Sequence, residues 1–336
     1  MIKRSKTGIP VNVLVTGGTG FIGSHLVSAL LKRGYKVYAL SRTPPDSNND
    51  TIRDVEFVKA DINNVQAVSE ALKEVRGIFH LAGIINSNGI SNKLFWKINY
   101  EGTRNLLEFA CLNQVKFFVY CSSVAVFGNL AEVPASELTP CNPDNIYGET
   151  KLEAESLVRQ YQKEKGLPVV IVRPSWVYGP GDRRTMKLFK AISKKRFFII
   201  GNGKTLLHPV YVDDLAEGII LSAVNNNAIG KTYILGGDET VPLDTLVQII
   251  ADILKVKIPE YHLPFSIIWL SAVICEILFK ILHKEPPIFR RRLDFFIKDQ
   301  SFSIEKAKKE LNFSPSTPIR QGLEKTIGWY KDRGII

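Results

Sequence analysis

Residues 13–26 read VLVTGGTGFIGSHL, and few stretches restrict a fold so tightly. A β-branched run ends in three glycines at a spacing of three, Gly17, Gly20 and Gly23, and then passes into a helix-forming stretch. Glycine at such positions allows a tight turn and lets backbone N–H groups approach a pyrophosphate. The N-terminus of the following helix adds partial positive charge. A glycine pattern alone is weak, but here the strand lies before it and the helix after it, as the motif demands. Gly17, Gly20, Phe21, Ile22 and Gly23 are therefore assigned to a dinucleotide site.

The rest of the first half supports the same architecture. Val11–Val15, Lys36–Leu40, Val55–Ala60, Gly77–Gly83, Lys116–Ser123 and Pro168–Pro174 read as strands, and longer polar–apolar stretches lie between them. Such alternation predicts an α/β fold, a doubly wound Rossmann-type parallel sheet with helices on both faces. The strands are nearly unbroken apolar runs, as expected of strands covered on both sides. After Pro174 the rhythm breaks. Residues 209–236 return to a strand, a helix and a further strand, and from Val241 the chain reads as mostly helical. The division expected is a dinucleotide-binding domain over 1–178, rejoined by 209–236, and a smaller, mostly helical substrate cap from 179–208 and 237–336.

Composition excludes little except at the extremes. The chain has 336 residues and a formal net charge of +11. Its basic clusters, 193–198, 290–292 and 305–310, come without any nucleic-acid-binding signature, so a basic solvated face or an anionic membrane surface fits better than nucleic acid. The basic N-terminal stretch has too short an apolar run for a signal peptide, which makes the cytoplasm the expected compartment. Cys111, Cys121, Cys141 and Cys275 have neither metal nor disulfide spacing, and the five histidines have no ligand spacing.

At the end of the second strand, where an acidic residue would bind the ribose 2′-hydroxyl of NAD, the sequence has Ser41 and Arg42. Loss of the carboxylate removes a repulsion, and an arginine can pair with a 2′-phosphate. NADP(H) is thus favoured over NAD(H). Asp61 and Ile62 close the third strand, where a carboxylate can take the adenine amino group. Further on, YGETK sets Tyr147 and Lys151 four apart, on one face of a helix. A lysine beside a phenol is expected to lower its pKa toward the working range and fit it for proton transfer. Ser122 and Ser123 stand at the end of the preceding strand, where open parallel sheets bind ligands.

With these motifs in order, the chain resembles an extended short-chain dehydrogenase/reductase of the NAD-dependent epimerase/dehydratase family. The likeness runs through TGGTGFIG, HLAG at 80–83, NYEGTRNLLEFA at 99–110, SSVAVFG at 122–128, YGETK, RPSWVYGPGD at 173–182 and VYVDDLAEG at 210–218. It implies Tyr147 as general acid/base, Lys151 on the nicotinamide ribose and Ser123 as the catalytic serine. It also implies Leu81, Ala82 and Gly83 lining the cofactor, Asn99 beside it, and Pro174 opening the loop above it. The 4,6-dehydratases carry Thr-Asp-Glu where this chain has Ser123-Val124-Ala125, so water elimination lacks its acid and base. Epimerases often have an arginine near Leu207 to hold a diphosphate; Lys204 or Arg183 would have to substitute. The branches that remain are those resembling 3β-hydroxysteroid dehydrogenases and dihydroflavonol reductases. The expectation is hydride transfer between a nicotinamide and a hydroxyl or carbonyl of an apolar or amphipathic small molecule. A nucleotide-sugar epimerase with tightly held NAD is the alternative, and a non-catalytic dinucleotide-sensing scaffold the next. A homodimer through 99–113 and 147–165 follows from the resemblance.

Residues 263–282 read LPFSIIWLSAVICEILFKIL, with Arg290, Arg291 and Arg292 shortly after. About 20 apolar residues can span a bilayer, but Glu276 and Lys280 would then be stranded in lipid. Two readings remain: a helix buried in the cap, which the position favours, or a peripheral membrane contact through 263–292. His80, within a strand, and His208, leading into one, read as packed structural groups.

Overall fold

The computed structural model describes residues 12–42, 54–64, 69–85, 90–259, 261–281 and 290–336. Val11 and residues 282–289 of the 263–292 segment lie outside them. The strands are β1 (Asn12–Thr16), β2 (Lys36–Ser41), β3 (Val55–Lys59), β4 (Gly77–His80), β5 (Phe117–Cys121), β6 (Val169–Pro174), β7 (Trp176–Tyr178), β8 (Leu206–Leu207), β9 (Pro209–Tyr211), β10 (Thr232–Leu235) and β11 (Val241–Pro242). Seven of them form one sheet in the order β10–β6–β5–β4–β1–β2–β3, every pairing parallel. The chain runs outward from β1 to β3, then starts again on the other side of β1 with β4. That reversal opens a crevice at the carboxyl ends of β1 and β4, where such sheets bind ligands.

The helices are α1 (Phe21–Lys32), α2 (Asn92–Phe95), α3 (Gly102–Leu112), α4 (Ile146–Lys165), α5 (Met186–Ser193), α6 (Val212–Val224), α7 (Leu243–Leu254), α8 (Phe265–Ile281), α9 (Arg290–Leu293), α10 (Glu305–Leu311) and α11 (Ile319–Asp332). Along each central strand, alternate side chains enter opposite cores. Val13, Val15, Phe79 and Val119 pack with α1 and α6 on one face. Leu14, Ile78, Phe118 and Tyr120 pack with α3 and α4 on the other. Full burial of each such side chain contributes about 1.5–3 kcal/mol, which explains why the strands read as unbroken apolar runs. Phe302, Ile304, Ala307, Leu311 and Phe313 join the first of these cores. A third core gathers α5, α7 and α11 around Tyr178, Phe189, Leu246, Leu323 and Tyr330.

The favoured reading of 263–282 does not hold. Among the described side chains of α8, Ala272 is the one fully buried, while Ile267, Leu270, Ile274, Ile277 and Leu278 are each half exposed or more. Hydrophobicity measures what a helix would gain by burial, not whether a neighbour exists to bury it, and here the protein covers only one side. Glu276 pairs with Arg290 on α9; the side chain of Lys280 lies outside the described residues. No helix among the described residues is long and apolar enough to cross a membrane.

Candidate active site

The glycine turn leaves β1 and enters α1. Gly17 has φ +71°, a region that side chains disfavour, and a Cβ there would stand 2.9 Å from the Ala82 nitrogen. Gly23 lets the first turn of α1 press onto this loop, since its Cβ would come within 2.0 Å of the Gly17 carbonyl oxygen. Gly20 caps the helix, its N–H donating to Gly17 O at 2.9 Å. The turn borders a cleft of about 320 Å³ that also touches Ser41 at the end of β2 and Arg42 after it, Asp61 and Ile62 after β3, and Ala82 and Gly83 after β4. Backbone donors and the end of a helix dipole are the chemistry a dinucleotide diphosphate requires, and an arginine stands on the far wall of the cleft. The residues therefore fit that group. Leu40, Ala60, Ile84 and Ile98 add an apolar lining. Phe21, Ile22 and Leu81, assigned to the cofactor from sequence, pack against the sheet core.

Beneath the cleft runs a buried chain of hydrogen bonds. Ala82 N–H donates to Thr16 Oγ1 (3.2 Å), which lies 2.7 Å from His80 Nδ1. His80 Nε2 is 2.9 Å from Thr103 Oγ1, and Thr103 donates to Asn99 O (2.6 Å). Because Thr103 spends its proton on Asn99, His80 must donate from Nε2 and accept at Nδ1. Burial, helped by the Lys151 charge, holds its pKa well below the usual 6.5, so the ring is neutral. Its packed role agrees with its reading from sequence. His208 is likewise buried, with Nε2 on Gly237 O and Nδ1 accepting from Phe302 N.

Asn99 sits in a π-helical turn, Trp96–Glu101, between α2 and α3. Such turns often mark functional sites. Its amide accepts from Ile84 N (2.8 Å) and donates to Ile84 O and to Thr150 Oγ1 on α4 (both 3.1 Å). Asn99 thereby pins the cleft loop to the helix that carries Tyr147 and Lys151. Sequence reasoning missed Thr16, Thr103 and Thr150, whose partners are distant in the chain.

Asn145 caps α4 with its side chain on Gly148 N. Lys151 is buried, its Nζ donating to Cys121 O at 2.7 Å and lying 4.8 Å from the Tyr120 ring centroid. Gly83 leaves room for the Asn99 amide, since a Cβ there would stand 3.1 Å from Asn99 Oδ1. Burial lowers the Lys151 pKa. The effect expected of Lys151 on Tyr147 is not seen. Tyr147 is part-buried, desolvation pushes its phenol up to about 12, and the groups that pull it down are the Ser123 hydroxyl and the Arg184 charge. The reason is geometric: the ammonium is turned to a backbone carbonyl. Ser123 also accepts from Ala125 N (3.1 Å), whereas Ser122 is buried. Arg184 was overlooked in favour of Arg183. Asp182 holds it, accepting from its N–H at 2.8 Å, and its guanidinium lies over the Phe21 ring.

The profile of the NAD dependent epimerase/dehydratase family matches residues 13–236, about two thirds of the chain. The chain belongs to this family. Sterol-4-alpha-carboxylate 3-dehydrogenase, decarboxylating, from Bos taurus is 29% identical over 93% of this chain and 90% of its own length. The 3-beta-hydroxysteroid dehydrogenase of Mycolicibacterium neoaurum is 28% identical over 95% and 91%. Among solved structures, UDP-glucuronic acid 4-epimerase from Bacillus cereus in complex with NAD superposes with a TM-score of 0.78, 27% identity, and coverage of 96% of this chain and 99% of the other. This member of the epimerase/dehydratase family is an enzyme of the extended short-chain dehydrogenase/reductase type. Its chemistry is that of a nicotinamide-dependent oxidoreductase.

Proposed function

We propose that this enzyme uses NADP(H) to interconvert a hydroxyl and a carbonyl on an apolar or amphipathic small molecule. A bound nicotinamide supplies or accepts the hydride. Gly17, Gly20 and Gly23 would hold the diphosphate, Arg42 the 2′-phosphate and Asp61 the adenine, with Ala82, Gly83, Asn99 and Pro174 around the remainder. Ser123 holds the substrate oxygen, and Tyr147 gives or takes its proton at Oη. Lys151 contacts the ribose and anchors α4 to β5. The observation that carries the reading is the convergence on Tyr147 of the Ser123 hydroxyl and the Arg184 charge, with Lys151 buried one turn along the same helix. Steroid- and sterol-acting relatives matching nearly the whole chain support the apolar substrate class.

The substrate cap would draw on 179–208 and 237–336 through the third core, while 302–313 serve the sheet. A homodimer would use the outer faces of 99–113 and 147–165. The epimerase reading has the fold in its favour, but Leu207 is buried and Lys204 is engaged with Asp244 at 2.8 Å. Leu207 carries no charge for a diphosphate, so that reading would fall to Lys204 or to the exposed Arg183.

Cofactor choice is testable at one residue. A charge-assisted hydrogen bond contributes about 1.5–3 kcal/mol, so Arg42→Ala is expected to weaken NADPH binding by about 10–100-fold. NADH affinity should stay within about twofold, because no 2′-phosphate contact is lost. Fluorescence titration of both nucleotides reads this out. Wild-type protein that binds NADH as tightly as NADPH contradicts the preference.

A further inference from the structure

α8 presents an apolar stripe to its surroundings. Ile267, Leu270, Ile274, Ile277 and Leu278 are 60%, 55%, 50%, 57% and 53% exposed. Their spacing of three, four, three and one puts them on one face of a helix about 25 Å long. Natural surfaces scatter such residues singly; five in a row mark a contact site.

Both ends of the stripe are cationic. At its start, exposed Lys194, Lys195 and Arg196 follow α5. The chain just beyond them pairs with the entry to α8, Leu263 N donating to Ile199 O (2.8 Å) and Gly201 N to Leu263 O (2.9 Å). Phe198 meets Tyr261 there, with ring centroids 5.6 Å apart. At the far end, α9 packs on α8 and exposes Arg290, Arg291 and Arg292. Arg290 lies 2.9 Å from Glu276, the sole acid in α8, and neutralises it. Tyr261, exposed beside the entry to α8, has the amphipathic ring that settles at lipid–water interfaces.

We propose that α8 is a membrane-docking element that lies flat on an anionic bilayer. Its apolar stripe enters the acyl boundary, and the 194–196 and 290–292 clusters meet the headgroups. A second copy of the chain fits less well. Two α8 helices packed face to face, parallel or antiparallel, bring a cationic cluster of one copy against a cationic cluster of the other. Anionic lipid complements both ends at once. The proposal rests on this surface alone and not on the identity of the substrate.

Vesicle co-sedimentation of the full chain tests it. Vesicles of equal parts phosphatidylcholine and phosphatidylserine should pull the protein down at low salt, with binding at least about tenfold weaker to phosphatidylcholine alone and weakened by added salt. The Leu270→Ser/Ile274→Ser variant should lose binding by about tenfold or more, and so should Arg291→Ser/Arg292→Ser. All four positions are exposed, and the thermal midpoint and nucleotide affinity of each variant, measured alongside, report an intact fold. Wild-type protein that ignores the mixed vesicles overturns the proposal, as does binding that the Leu270→Ser/Ile274→Ser variant retains. So does a wild-type dimer that this variant dissociates without any vesicle binding, which would make the face a contact between copies. Turnover of a water-soluble carbonyl is measured separately, so loss of docking and failure of the oxidoreductase reading are distinguishable.

Discussion

Replacing Tyr147 with phenylalanine is expected to lower kcat for carbonyl reduction by about 10²–10⁴-fold, the range for loss of a positioned proton donor. Nucleotide affinity should be unchanged, because the hydroxyl is spent on the substrate. The direction of the pKa shift sharpens this. Burial lifts the phenol to about 12, so in protein stripped of nucleotide Tyr147 carries its proton at neutral pH and is an acid ready to donate. The folded state holds that proton more tightly than the unfolded chain does. Its contribution to stability is therefore complete below the phenol's ordinary value of 10 and is lost as pH rises through about 12. Difference absorbance of tyrosinate between wild type and Tyr147→Phe measures the ionisation. A Tyr147 that ionises below pH 10 without nucleotide contradicts the assignment of burial as the governing influence.

The second large effect concerns stability. Glu155 on α4 and Arg173 at the end of β6 are both buried, and they meet through two bonds of 2.9 and 2.7 Å. Arg159 adds a third contact to Glu155 at 3.3 Å, and Phe127 lies under the Arg173 guanidinium. Glu155→Gln leaves a buried cation without its counter-charge and should cost about 3–5 kcal/mol. Glu155→Leu combined with Arg173→Met removes both charges and should recover much of that loss, as replacing a whole buried pair often does. Urea denaturation of the two variants and of each single change gives the coupling. A Glu155→Gln protein within 1 kcal/mol of wild type, itself the ordinary worth of a surface pair, would show that the pair is solvated. Glu155 lies one turn beyond Lys151, so the pair also fixes where α4 stands against the sheet.

What sequence could tell depended on the range of the interaction. β1, β2, β4, β5, β6 and β10 were legible because both faces of each strand are covered, and unbroken apolar runs are the local imprint of that arrangement; β3, at the sheet edge, keeps Glu56 and Lys59 exposed. The glycine turn was legible because backbone geometry restricts residue type at single positions, as at Gly17 and Gly23. Tyr147 and Lys151 were legible as a pair because helix periodicity joins them. The Thr16–His80–Thr103 chain was not, since it spans separations of 64 and 23 residues and leaves no periodic trace. Arg184 was missed because its place depends on the loop that Asp182 organises. The direction of the Tyr147 shift was missed because it depends on where the Lys151 ammonium points. The α8 stretch was misjudged for a different reason: composition reports the appetite of a helix for burial but not the supply of neighbours.

In the proposed reaction, hydride passes between a nicotinamide and a substrate carbon while Tyr147 manages the proton. Reduction of a steroid ketone by NADPH carrying deuterium at the transferable C4 position tests it most directly. Wild-type enzyme is expected to place one deuterium on the carbinol carbon of the alcohol, and Tyr147→Phe to form almost no product. Nucleotide consumed without label in the alcohol, or label transferred equally well by Tyr147→Phe, would contradict it.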